Sequence, residues 1–372
     1  MELTPGIATL MREMPDGYDD ACFETGAIVR KRDVKNPDDL MMLNLFHLMT
    51  GCSLVEISTI ASLAQIGEIS DVAFMKRFKN CNEWFKWVIS RTMTDGQITY
   101  ELPECIKKYR LLAIDASDVV EKGRSKRTYR LHFALDIRNM HAALYNITTN
   151  EVGEKLSNFT LSKGDLVLAD RVYGSAAGIM HCNESGAEYI LRLRVNGLSL
   201  CNENGEKFKL FEHMKGKELG DIKTYAKSKD GKLLPVRICF KKKDPDAIEK
   251  TQKKMHRKES KKQCIISDET KAFNEYIVVV TSLGDEVSTS EILDAYRYRW
   301  QVEIYFKRLK SILNYGELPK KTEDSIFAWL NGKLMIALLI EKIIGRATFP
   351  PKEESFAEYL ERDEVYEALD AV

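Results

Sequence analysis

Four residues late in the chain have the types and spacing for chemistry beside a phosphate: Tyr296, Arg299, Glu303 and Lys310, within the run Y-R-Y-R-W-Q-V-E-I-Y-F-K-R-L-K. If the run is one helix, a step of 100° per residue projects all four within an arc of roughly 60°. A carboxylate is then flanked by two cations and a phenol, a way to hold a metal-bound carboxylate next to a phosphate. Arg299 and Glu303 alone are also an ordinary i,i+4 ion pair. The reading therefore depends on whether other segments bring further carboxylates.

Two segments do. Asp115 ends the apolar run R-L-L-A-I-D, and Asp170 ends L-V-L-A-D. Buried strands rarely finish in a carboxylate that has no partner. In an open sheet, ligands gather at the carboxyl ends of strands where strand order reverses, so the two acids could meet there. Glu303, from a helix laid on the sheet, would be the third. Such a cluster repels itself and raises its own pKa values unless hard cations such as two Mg²⁺ relieve it. Two metals roughly 4 Å apart stabilise the attacking and leaving oxygens of an in-line phosphoryl displacement, which is chemistry on a phosphodiester. Each acid also has a plainer reading. Asp115, with Ala116, Ser117 and Asp118 behind it, could be a strand-ending turn, and Asp118 competes as the first ligand; Asp170 beside Arg171 could be a salt bridge.

The positioning elements follow from periodicity. Residues 1 to 36 are irregular. From Asp38 the pattern is helical, with Gly51, Gly67 and the caps Ser53 and Ser70 marking short helices, and Trp84, Phe85 and Trp87 marking a fourth. The turn from Ile66 to Ser70, followed by Lys76, Arg77 and Lys79, has the rhythm of a helix-turn-helix as well as that of a plain bundle. Past Pro103 the period changes to two. Arg110 to Asp115, the alternating residues 129 to 137, and Ala142 to Thr148 read as an antiparallel meander. Lys122, Arg124, Lys126 and Arg127 form a hairpin tip that is either a solvated turn or a phosphate contact. A strand into Asp170, a helix opened by Gly174 and Ser175, and a strand from Tyr189 to Val195 follow. Residues 197 to 275 interrupt with strand pieces and with Lys241 to Lys262, which holds ten Lys or Arg against four Asp or Glu. That segment is either an exposed helix or a phosphate-binding arm. Glu275 to Ser282 is a strand, and Ser288 with Glu291 caps one long helix running to about Tyr315. An apolar helix, Ile326 to Ile344, and an acidic tail end the chain.

A length of 372 residues suggests two or three units, and 44% hydrophobic with 30% charged residues argues against disorder. The formal net charge of zero leaves a nucleic-acid partner open, because clustering matters more than the sum. The eight cysteines include no C-x-x-C pair, which argues against zinc. With no opening signal segment and no long apolar span, the chain reads as cytosolic, without a membrane partner.

The spacing Y-x2-R-x3-E-x6-K at Tyr296, Arg299, Glu303 and Lys310 resembles the signature of the DDE transposases of bacterial insertion sequences, in the insertion sequence four group. I-D-A-S at Asp115 and A-D-R-V-Y at Asp170 resemble that family's two aspartate motifs, with Val172 where the family often has Gly. The resemblance covers roughly residues 70 to 345. It implies an α/β, ribonuclease H-like mixed sheet flanked by helices, with a β-rich insertion and an N-terminal helical domain. The expected division is 1–105 for DNA binding, 106–196 with 276–320 for catalysis, 197–275 for the insertion and 321–372 for a C-terminal helical segment. It further implies Asp115, Asp170 and Glu303 as catalytic metal ligands for two Mg²⁺, with Mn²⁺ able to substitute. Tyr296, Arg299 and Lys310 would hold DNA through its phosphates, Arg as a bidentate clamp and Lys as a point charge. Phe208, Phe211 and Tyr225 are the candidates for an aromatic receiving an unstacked base.

The partners implied are double-stranded DNA, both terminal inverted repeats and target, and a second copy of the chain in a homodimer on DNA, with the protein at the bacterial nucleoid. The activity implied is end cleavage followed by transfer of the 3′-hydroxyl to target DNA. A nuclease of the same fold without strand transfer and a catalytically silent DNA-binding descendant are the alternatives.

Overall fold

Local capping chemistry sets the N-terminal helices. The computed structural model describes residues 5–31, 34–93, 101–121, 128–319 and 322–346. Two helices, α1 (Pro5–Arg12) and α2 (Tyr18–Glu24), lie where the sequence reads as irregular; their few apolar residues, Ile7, Leu10, Ala21 and Cys22, are buried by later elements. In α3 (Pro37–Thr50) Asn36 accepts the Asp38 amide at 3.1 Å, and Gly51 ends the helix at φ 73°. Ser53 and Glu56 form a reciprocal capping box on α4 (Leu54–Leu63), and Ser70 caps α5 (Asp71–Asn80). Trp84, Phe85 and Val88 of α6 (Asn82–Thr92) face inward. The 24-residue α13 (Glu323–Arg346) packs on α3, α5 and α6. It approaches closely at Gly332, where a Cβ would lie 2.5 Å from Leu48 Cδ1.

Among the described residues the centre is one ten-stranded mixed sheet. Its strands are β1 (Arg110–Glu121), β2 (Thr128–Asp136), β3 (His141–Thr149), β4 (Asp165–Ala169), β5 (Glu188–Arg192), β6 (Leu200–Cys201), β7 (Leu219–Lys227), β8 (Leu233–Lys242), β9 (Tyr276–Thr281) and β10 (Glu317–Leu318). The order is β3-β2-β1-β4-β5-β9-β8-β7-β6, with β10 also on β1. β1, β4 and β5 are mutually parallel, and β1 to β3 form the expected meander. The helices of the second half are α7 (Ala176–Ser185), α8 (Leu210–Met214), α9 (Pro245–Lys262), α10 (Asp268–Phe273), α11 (Thr289–Arg297) and α12 (Trp300–Leu313). One sheet face joins a core with α11 to α13 and the N-terminal helices, and the other packs with α7 and α8.

β7 and β8 extend the same sheet through β9, because backbone donors on the edge of β9 are satisfied by the nearest free strand. Two expectations change. Asp115 does not end its strand, for β1 continues to Glu121. The long helix after Ser288 is two helices. Tyr298 and Arg299 form a tight turn in which the amides of Arg299 and Gln301 bond three residues back, at 3.1 Å each. The basic hairpin tip 122–127 and the acidic tail from 347 lie outside the described residues.

α12 is held to the sheet by aromatic packing. Phe133, directly opposite Asp115 in the β1–β2 ladder, stacks on Tyr305 at 4.5 Å between ring centroids and meets Phe306 at 5.8 Å. We expect Phe133→Ala to destabilise the protein by about 3–5 kcal/mol, and Phe133→Leu by clearly less, in urea unfolding. Equal, small losses for both would show that this contact does not anchor α12.

Candidate active site

The β1–β4 ladder runs from Arg110↔Asp165 to Ile114↔Ala169, so Asp115 and Asp170 are the next residues side by side on parallel neighbours. Strand alternation gives them a common face. Leu111 and Ala113, like Leu166 and Leu168, point into the core beneath α11 and α12, and Asp115 and Asp170 share their parity. β4 ends there while β1 continues, and β10 takes up the vacated edge only from Val120. Among the described residues, no strand occupies that edge of β1 between the two.

Asp115 accepts its neighbour's amide, Ala116 N, at 2.8 Å, and Asp170 accepts Val172 N at 2.8 Å. No ion pair joins Asp170 to Arg171 among the described residues. Glu303 accepts Arg299 Nη2 at 2.6 Å, and the guanidinium, 3% exposed, lies 5.8 Å from the Tyr296 ring centroid. Tyr296 is buried as well, and its hydroxyl has no hydrogen-bond partner among the described residues. Asp118 has the opposite parity. It pairs with Arg130 across the ladder at 2.7 and 3.2 Å, with Glu154 3.6 Å from the same guanidinium.

The electrostatics tie these groups together. Burial pushes the Asp115 carboxyl up to about 7; Asp170 and Glu303 add to the rise, against the Ala116 amide and Arg299. Burial also raises Glu303, opposed by Arg299 and assisted by Asp170. Burial acts to lower Arg299, yet Tyr296, Glu303 and Asp115 outweigh it and hold the guanidinium above its usual value. Of the six residues singled out from sequence, the fold thus gathers Asp115, Asp170, Glu303, Arg299 and Tyr296. Lys310 is exposed, seven residues past Glu303 and so roughly 10 Å further along α12. Tyr225 is distant too: β7 lies five strands from β1, roughly 24 Å. Phe208 is stacked on His213.

Two arginines flank Asp170, and of these Arg192 is not among the residues that sequence reasoning singles out. Arg192 follows Leu191, the partner of Ala169, so it stands beside Asp170 in register, 6% exposed. Its signal was the run Y-I-L-R, an apolar strand ending in charge like those of Asp115 and Asp170. Arg171 is pulled down to about 10 by burial and by Arg192. Gly174 lets the loop after Asp170 cross this strand end, since a Cβ there would lie 2.4 Å from the Arg192 carbonyl oxygen.

Three carboxylates are hard oxygen donors suited to a divalent cation. Among the described residues no trio of acid, His or Cys side chains already stands at coordinating distance, and Glu303 is turned onto Arg299. Without a cation, the raised Asp115 makes folding less favourable as pH climbs from about 4 through about 7, because the native state must give up a proton that it holds more tightly than the unfolded chain does. In chelator, Asp115→Asn should therefore raise the thermal midpoint more at pH 8 than at pH 5; an equal gain at both would contradict the raised value.

The family described as Transposase DDE domain matches residues 106–339, which take in this whole cluster. The chain is 28% identical over 348 residues to the putative transposase InsL for insertion sequence element IS186A of Escherichia coli K12, covering 91% of this chain and 93% of that one. It is 28% identical over 349 residues to the transposase for insertion sequence element IS421 of Escherichia coli. Against the transposase for IS231B of Bacillus thuringiensis subsp. berliner it is 27% identical over 200 residues, 49% of this chain and 41% of that one. The resemblance read from the Tyr-Arg-Glu-Lys spacing is borne out. The chain belongs to the DDE transposase family, and its activity is that of a DNA transposase, a divalent-metal-dependent phosphoryl-transfer enzyme acting on DNA.

Proposed function

We propose that Asp115, Asp170 and Glu303 are the catalytic carboxylates, and that the sheet around them is a ribonuclease H-like catalytic domain formed by residues 106–196 and 276–320. Residues 1–105 would serve DNA binding, and 197–275 are an insertion whose strands have joined the sheet. What supports the site assignment most is the β1–β4 register, which leaves two aspartates adjacent on the face met by Glu303.

The three carboxylates would hold two Mg²⁺, which when bound supply charge neutralisation at the reacting phosphate and a more acidic water. Glu303 would exchange its Arg299 partner for that role. Arg299, released yet still buried against Tyr296, then offers its guanidinium to a phosphate oxygen. Tyr296, whose buried hydroxyl lacks a partner among the described residues, gives a donor beside it. Arg192 and Arg171 add positive charge next to Asp170, and exposed Lys310 meets the backbone further along as a point charge. In this reading the enzyme binds the element's ends, cuts there and joins the freed 3′-hydroxyl to target DNA.

The test uses a duplex carrying the element's end. Glu303→Gln and Asp115→Asn should each lower Mg²⁺-dependent cleavage by about 10³-fold, several kcal/mol of transition-state stabilisation, while changing DNA affinity little. Cleavage that survives either change sinks the assignment. Arg192→Gln should weaken DNA binding uniformly and reduce the salt slope of log K by about 1, read by fluorescence anisotropy across a salt series. An unchanged slope would remove Arg192 from the phosphate contacts.

A further inference from the structure

We propose that the outer face of α9, a helix rooted some four to six base-pair lengths along the sheet from the bond that is cut, grips the backbone of duplex DNA without regard to sequence. Only that spacing rests on the assignment of Asp115 and Asp170; the contact itself rests on α9.

The inner side of α9 is settled by its contacts. Met255 is 9% exposed and lies 3.8 Å from Asn274 Nδ2, Thr251 accepts Lys243 Nζ at 3.0 Å, and Glu259 holds Lys271 at 3.0 Å and accepts the Ile266 amide at 2.9 Å. On the other side Lys250, Lys254, Arg257 and Lys261, all exposed, recur at i, i+4, i+7 and i+11. They project within an arc of roughly 60° and make a row roughly 16 Å long. No acid lies within that row. Of the three in the helix, Glu259 is turned inward, Glu249 is taken by Lys253 at 2.6 Å, and Asp246, in the first turn, stands on the same face one turn before Lys250. Lys250, Arg257 and Lys261 have no ion pair with any described residue.

Such a row works against the helix that carries it. Lys250–Lys254, Lys254–Lys258 and Arg257–Lys261 are like-charge neighbours at i,i+4, a spacing that destabilises isolated helices. A merely solvated face would interleave acids; a row stripped of them suits a polyanion that relieves the repulsion and releases its counterions.

The topology says where that polyanion lies. β8 has the same direction as β5, since each is antiparallel to β9. α9 therefore leaves the sheet at the edge that carries the carboxyl ends of β4 and β5. β8 is three strands from β4 and four from β1, roughly 14 and 19 Å along that edge. At 3.4 Å per base pair this puts the root of α9 about four to six base-pair lengths from the carboxylates.

The experiment removes the row as Lys250→Gln/Lys254→Gln/Arg257→Gln/Lys261→Gln in the full chain, in an Asp115→Asn background, so that binding is read without cutting. Failure of the carboxylate assignment, judged from cleavage, then stays a separate result. Affinity is measured across a salt series for a duplex bearing the element's end and its flank, and strand transfer of pre-cut ends is measured with Asp115 restored. On the end duplex, a salt slope reduced by about 3 to 4 would put α9 on the element's flank. An unchanged slope there with strand transfer down tenfold or more, worsening with salt, would put it on target DNA. Either supports the contact. A control that keeps every charge, Lys250→Arg/Lys254→Arg/Arg257→Lys/Lys261→Arg, should retain wild-type slopes. If the Gln variant, with an unaltered thermal midpoint, matches wild type in both measurements, or if the charge-keeping control loses as much as the Gln variant, the proposal is wrong.

Discussion

Two carboxylates held side by side on a sheet face resist both burial and each other, and most of the surrounding architecture answers that strain. Parallel pairing of β1 with β4 forces the juxtaposition, because Ile114 and Ala169 are the last paired residues and the aspartates come next on each strand. Apolar runs on both strands bury everything before the acids, so the charges emerge where the packed core stops. Their face then needs positive charge, and it lies toward α11 and α12, where Arg299 stands.

Arg299 is central to this arrangement. Its guanidinium is almost wholly buried, bonded to Glu303 and resting near Tyr296, so it neutralises part of the acid cluster from within. The break at Tyr298 and Arg299 gives the path from α11 to α12 an extra tight turn beside the site while Tyr296, Arg299 and Glu303 stay together. A buried ion pair beside two carboxylates that, among the described residues, have no ion-pair partner is an arrangement suited to rearrangement, since an arriving cation could take over Glu303 and free the arginine for a phosphate.

The sheet also carries the edge that holds the acids outward. β9, β8 and β7 extend it beyond β5, and the excursion between β8 and β9 raises the basic helix α9 from the same edge as the strand ends. The acid cluster and the root of the basic helix thus lie along one continuous hydrogen-bonded ladder, whose strand spacing sets the distance between them.

Much of this was legible in the chain alone. The acids ending or interrupting apolar runs, the Tyr-Arg-Glu-Lys spacing, the caps at Ser53, Ser70 and Ser288 and the meander all depend on local periodicity and on side-chain reach over a few residues, which sequence records directly. What depended on pairing between distant segments was not. That Asp118 faces away and is held by Arg130, that Arg192 stands beside Asp170, and that β7 and β8 join the main sheet are matters of register, and one residue of slip would reverse each face. The turn at Tyr298 was hidden because its residues are all good enough helix formers. The sequence by itself therefore determined which side chains have the types and spacing for this chemistry; the tertiary structure alone decided which of them share a face, because strand register is fixed by the burial of whole surfaces and not by any neighbouring residue.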